Sequence, residues 1–235
     1  MKKLLYIVFI VLFLAGCSNS TGSIGKVTDL SKNYLSKGYI INVYRTATPL
    51  SDAIEDMGKG YVCMVFQILV DHYSTIDYNN KDLYIKKQIV SNIKITKSPK
   101  MGTVGDIYAN YQSYLAPDFK MVGSNNIYEK TYDQPISYGA QNSIAVELDN
   151  IAFIDSSKYP DSISTSELYN ALGITRDDVA LTVSFRIEFV TVGNKTFYKD
   201  YVIEVPPASY NIGGSEFRTD FITEDVSKME PYLEK

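Results

Sequence analysis

The chain has no tryptophan, a single histidine and only two cysteines among its 235 residues. A zinc site draws on several His and Cys side chains, so this inventory does not furnish one. The histidine, His72, follows Asp71, and in a strand two neighbours point to opposite faces, so they do not form an Asp–His dyad. His72 is expected at the rim of a strand, not as a catalytic base. A Gly-rich phosphate loop and a Gly-x-Ser-x-Gly elbow are both missing. The one long charge-free apolar run, Leu4 to Ala15, covers about 18 Å as a helix, short of the roughly 30 Å hydrocarbon core of a bilayer.

A large excess of one sign of charge is also lacking. Basic side chains number 23 against 27 acidic ones. Lysines gather only modestly, at Lys86-Lys87 and at Lys94, Lys97 and Lys100. Nucleic-acid binding needs a basic patch to neutralise phosphates, so neither DNA nor RNA is an expected partner.

What is present begins at the N-terminus. Met1-Lys2-Lys3 is basic, the apolar run follows, and small residues close it, which is the pattern of a secretory signal. The run ends in Leu14-Ala15-Gly16-Cys17, which resembles the lipobox of bacterial lipoproteins. The resemblance implies that Leu14 fills an apolar subsite and that small Ala15 and Gly16 admit the peptidase. Cys17 then takes a diacylglyceryl group on its sulfur and becomes the first residue of the mature chain. Such a chain is extracytoplasmic and lipid-anchored to the cell membrane, or to an outer membrane where the organism has one. Two or three acyl chains give stable attachment. No cofactor beyond that covalent lipid is expected.

Signal residues 1–16 carry two lysines, so the mature chain has 21 basic against 27 acidic side chains, a net charge of −6. Residues 17–27 are Ser- and Gly-rich, the composition of a flexible tether. They include Asn19-Ser20-Thr21, a sequon of little weight in a bacterial chain. With Cys17 lipidated, Cys63 has no disulfide partner, and stability must rest on a hydrophobic core. The 20 tyrosines and 10 phenylalanines supply much of it.

The folded part reads as mainly β. Tyr39–Arg45 alternates weakly, and Tyr61–Val70 is a nearly continuous apolar run, expected as a central strand buried on both faces with Cys63 inert inside it. Leu83–Lys97 is β-branched and stops at Ser98-Pro99. Ile144, Val146 and Leu148 alternate with polar or small residues, as do Val183, Phe185, Ile187 and Phe189. A hairpin from Val183 to Val205 turns near Gly193-Asn194. A three-residue loop, Gly193 to Lys195, would set Ile187 opposite Tyr201 and Phe185 opposite Ile203, building one apolar surface. A two-residue loop would oppose Ile187 to Asp200.

Helix signals are few. Ser164-Thr165-Ser166-Glu167 is a capping box, with Gly173 placed to stop a helix over Thr165–Leu172. Asp106–Leu115 is a second candidate, and Thr223–Glu230 a last turn or two. Phe66-Gln67-Ile68 and Phe185-Arg186-Ile187 echo one another, and an early strand, a loop and a strongly apolar strand resemble the immunoglobulin-like domains of many bacterial lipoproteins. The expected fold is β-sandwich-like with one or two short helices. Two small antiparallel units, 28–150 and 151–235, are preferred over one large sandwich.

Candidate chemistry is thin. Glu147 and Asp149 share a strand face, where a carboxylate pair could serve glycoside hydrolysis, although the wet side of an amphipathic strand explains them more simply. Asp155, Ser156, Ser157 and Asp161 could bind calcium, but lack EF-hand spacing. The expected function is therefore non-catalytic: a tethered binding or accessory protein for a secreted protein or an envelope polysaccharide. The rivals are an envelope hydrolase or transferase using carboxylates or a Ser–Lys pair, and a structural envelope component.

Overall fold

The computed structural model describes residues 25–49, 59–109, 120–122, 126–137, 142–159, 163–214 and 217–235. The expected signal, lipobox and most of the tether lie outside them. The fold is mainly β, with all strand pairs antiparallel in two six-stranded sheets. The first sheet is built from β1 (Tyr34–Pro49), β2 (Lys59–Ser74), β4 (Thr103–Tyr108), β7 (Asn142–Asp155) and β10 (Arg218–Ile222), in the order β10-β1-β2-β7-β4. A two-residue strand, β11 (Glu230–Pro231), adds to β1. The second sheet is β12-β9-β8-β3-β6-β5, from β3 (Ile85–Lys97), β5 (Lys120–Val122), β6 (Ile127–Ile136), β8 (Leu181–Thr191), β9 (Thr196–Val205) and β12 (Leu233–Glu234).

The sheets pack face to face because each strand turns alternate residues inward. Val62, Met64, Phe66, Ile68 and Val70 of β2, Ile144, Val146 and Leu148 of β7, and Val183, Phe185, Ile187 and Phe189 of β8 form one buried cluster. Burying each such side chain is worth about 1.5–3 kcal/mol. The boundary expected near residue 150 falls inside β7, and each sheet takes strands from both sides of it. Chain order suggested two units; non-local pairing interleaves them.

Other expectations change in detail. Tyr61, Cys63, Val65, Gln67 and Leu69 of β2 are half-buried, so only the even-numbered side of that strand is core. Cys63 accordingly sits on the outer side, as a free thiol. The hairpin loop has three residues, but they are Val192 to Asn194. Thr191 N–H donates to the Lys195 carbonyl at 2.9 Å, and Asn194 N–H to the Thr191 carbonyl at 3.0 Å. Phe185 opposes Tyr201, Ile187 opposes Lys199 and Val183 opposes Ile203, a slip of two from the expected pairing that keeps the same face inward. The left-handed residue that closes such a loop is Asn194, at φ 62°.

Helix α1 (Thr165–Ala171) has the expected capping box. Glu167 N–H donates to Ser164 Oγ at 3.2 Å, while Ser164 N–H donates to Glu167 Oε2 at 2.8 Å. Gly173, at φ 67°, follows it in the left-handed conformation that ends many helices. A four-residue helix, α2 (Arg176–Val179), comes next, also with a capping box. Asp106–Tyr108, expected to start a helix, instead ends β4; residues 110–119 are outside the described set. The C-terminal turn is a 3-10 turn over Val226–Lys228.

The C-terminal residues join both sheets. β11 pairs with Leu35 and Ser36 of the first sheet, β12 with Phe197 and Tyr198 of the second, and Tyr232 between them is fully buried. The N-terminal side of the described chain lies alongside, since Lys26 and Glu234 exchange two backbone hydrogen bonds.

Candidate functional site

The outer face of the first sheet carries a row that crosses five strands and is polar except on β7, where it passes through the buried Ala145. Register places Arg218 of β10 beside Asn42 of β1, Asn42 beside Gln67 of β2, Gln67 beside Ala145 of β7, and Ala145 beside Tyr108 of β4. At about 4.8 Å between strands the row is about 19 Å long. A parallel row sets Tyr44 beside Val65 and Val65 beside Glu147.

Hydrogen bonds fix the centre of this face. Gln67 Oε1 accepts from Asn42 Nδ2 at 3.0 Å and from the Tyr44 hydroxyl at 3.3 Å. Those two bonds orient the amides, leaving the Gln67 NH2 group and the Asn42 carbonyl to engage a ligand. The Tyr108 hydroxyl donates to Glu147 Oε1 at 3.3 Å. Burial, together with Glu147 and Asp106 nearby, raises the Tyr108 pKa, so the hydroxyl keeps its proton. Tyr44 is about half exposed. Farther along the face, Tyr61 and Phe153 meet edge-on with centroids 5.5 Å apart. Nothing in the sequence singled out Asn42, Gln67 or Tyr44, since a polar row across strands is visible only once register is known.

The residues singled out from the sequence do not converge. His72 is buried, not at the rim, with its ring 4.6 Å from that of Phe189. Asp71 points the other way and faces Lys37, at 3.6 Å. Burial drives the His72 pKa down to about 3, which keeps the ring neutral. Glu147 and Asp149 do lie on the outer face. Glu147 is engaged by Tyr108, and Asp149 crowds Gly105, where a Cβ would come within 2.2 Å of its Oδ2. Asp155 accepts from the Ser157 backbone at 3.2 Å and from its hydroxyl at 2.6 Å, a local turn. Asp161 lies outside the described residues, as do Leu14, Ala15, Gly16 and Cys17. A Ser-x-x-Lys spacing not singled out from the sequence, Ser91 and Lys94, falls on a bulge of β3, with Ser91 buried and Lys94 exposed. Among the described residues no three His, Cys, Asp or Glu side chains are grouped to hold a metal ion. No helix among them is long and apolar enough to cross a membrane.

The far end of the sandwich is closed by Arg45. Its guanidinium donates to the Ile212 carbonyl and, at 3.2 Å, to that of Gly214, and lies 4.8 Å over the Phe217 ring. This is a buried strut tying β1 to the segment before β10, with its Nε buried and unpartnered.

Comparison with protein-family models, with curated proteins and with solved structures returns no match, an immunoglobulin-like neighbour included.

Proposed function

We propose that the protein is an extracytoplasmic lipoprotein, anchored through lipid on Cys17, that binds an envelope polysaccharide on the outer face of its first sheet without transforming it. The observation that carries the reading is the pair of oriented amides, Asn42 and Gln67, with Tyr44 bonded to Gln67 and Tyr108 beyond Ala145 on the same row. Oriented amides, with a tyrosine beside them, offer paired donors and acceptors in a plane, which suits a ligand rich in hydroxyl groups. Aromatic side chains such as Tyr44 add rigid apolar area for the faces of sugar rings. The anchor supports the reading by keeping the protein next to such polymers.

The test is co-sedimentation of the purified protein with isolated cell-wall polysaccharide, compared with the double variant Asn42→Ala/Gln67→Ala. The expected result is binding that the double variant weakens at least tenfold while its thermal unfolding stays cooperative. Absence of binding by the parent protein overturns the glycan reading. Specific crosslinking of Tyr44 to one secreted protein in intact cells would replace glycan by protein as the ligand.

A further inference from the structure

The interior of the sandwich is not uniformly apolar. His72, Gln88 and Asn142 are each at most 5% exposed, and all their side-chain polar atoms lack a hydrogen-bond partner: both His72 nitrogens and the amide nitrogen and oxygen of Gln88 and of Asn142. The three come from both sheets and from neighbouring strands. Gln88 of β3 lies beside Phe189 of β8, whose ring contacts His72 of β2. Asn142 of β7 lies beside Val70, two residues before His72 on the same inward side of β2. Lys130 of β6 lies beside Gln88 and is also buried, within 5.2 Å of the Tyr132 ring.

Buried polar groups in folded proteins are almost always hydrogen-bonded, to protein or to ordered water. Left unpartnered, six such atoms would carry a desolvation cost comparable to the whole net stability of a domain. Their chemistry also restricts what satisfies them. Two primary amides and a neutral imidazole present donors and acceptors in similar number and carry no negative charge, which does not suit a metal ion. The ligand that matches both roles at this scale is water, which makes about three hydrogen bonds when buried.

We propose that His72, Gln88 and Asn142 form an internal hydration site, holding a small cluster of ordered water molecules between the sheets. The cluster bridges the Gln88 and Asn142 amides and hydrogen-bonds the His72 ring. It joins the two sheets at this end by polar contacts.

Magnetic relaxation dispersion of water on the purified protein tests this directly. Water molecules with residence times longer than protein tumbling are expected, about two or more, given three side chains to satisfy and about three bonds per molecule. The variant Gln88→Leu should lose at least one of them and lower the Tm by about 2–4 °C, the shift for one net hydrogen bond in a chain of this size. A dispersion-free parent protein overturns the proposal. So does a rise in Tm for Gln88→Leu, because an apolar side chain gains only where the amide was unsatisfied. If Gln88→Leu fails to fold, Asn142→Leu provides the same two readouts.

Discussion

Gly38 of β1, which pairs with Ile222 of β10, approaches the preceding Phe221 backbone so closely that a Cβ on it would lie 2.1 Å from the Phe221 carbonyl oxygen. Its φ of +128° is itself a conformation that side chains rarely adopt. The glycine sits where the β1–β2 register shifts, between Ser36 and Gly38, so the bulge and the close approach coincide. Gly38→Ala is expected to cost about 2–4 kcal/mol. Urea denaturation checks this, and a loss below about 0.5 kcal/mol would show that the seam yields.

Stability should fall with acid before any carboxylate is protonated. The folded-state pKa of His72 is depressed to about 3 by burial, while an unfolded histidine titrates near about 6.5. In that window the unfolded chain binds the extra proton, so its contribution is complete above about pH 6.5 and is lost as pH falls toward 3. The slope is about 1.4 kcal/mol per pH unit. Glu204, Glu230 and Glu234, held low by hydrogen bonds from Arg176, Lys199 and Lys195, add losses only below their ordinary range. Between pH 6.5 and 5 the decline in Tm belongs to His72, and His72→Phe should flatten it. An unchanged decline in that variant would assign it elsewhere.

The β8–β9 loop depends on Asn194 in its left-handed conformation. Asn194→Val should destabilise the protein by about 1–2 kcal/mol, whereas Asn194→Gly should stay within about 1 kcal/mol of the parent. Paired thermal melts decide. Equal losses for both would assign the effect to the Asn194 side chain, which accepts from Lys86 Nζ at 2.6 Å, instead of to backbone conformation.

Cys17→Ala should abolish metabolic labelling by fatty acid and leave unprocessed precursor or released protein, read by phase partition of whole cells. Unchanged labelling would overturn the anchor.

How much of this was legible in the sequence depended on whether the signal was local. The capping box at Ser164 and Glu167 appears where its spacing puts it, because one helical turn satisfies it. The inward faces of β7 and β8 follow from simple alternation. The hairpin parity was readable from the demand for a single apolar face, yet its register was two residues off. Either odd loop keeps Phe185 inward, and the choice falls to Asn194 and to the Phe189–Phe197 pair. Tyr61–Val70 looked doubly buried because Cys63, Val65 and Leu69 are apolar, and composition does not distinguish half-buried from core. The polar row of Asn42 and Gln67 and the buried trio of His72, Gln88 and Asn142 were invisible. Their members are far apart in the chain and meet only through strand order.

The sandwich is fastened by residues 230–234. β11 hands over to β12 through the buried Tyr232, so a few residues stitch one sheet to the other beside Lys26. Until Glu230 to Glu234 have been made, β1 and β9 each lack a neighbour and the core is open at that end. A chain that has not yet reached Tyr232 is therefore held short of its final state, because neither sheet can close over that end of the core.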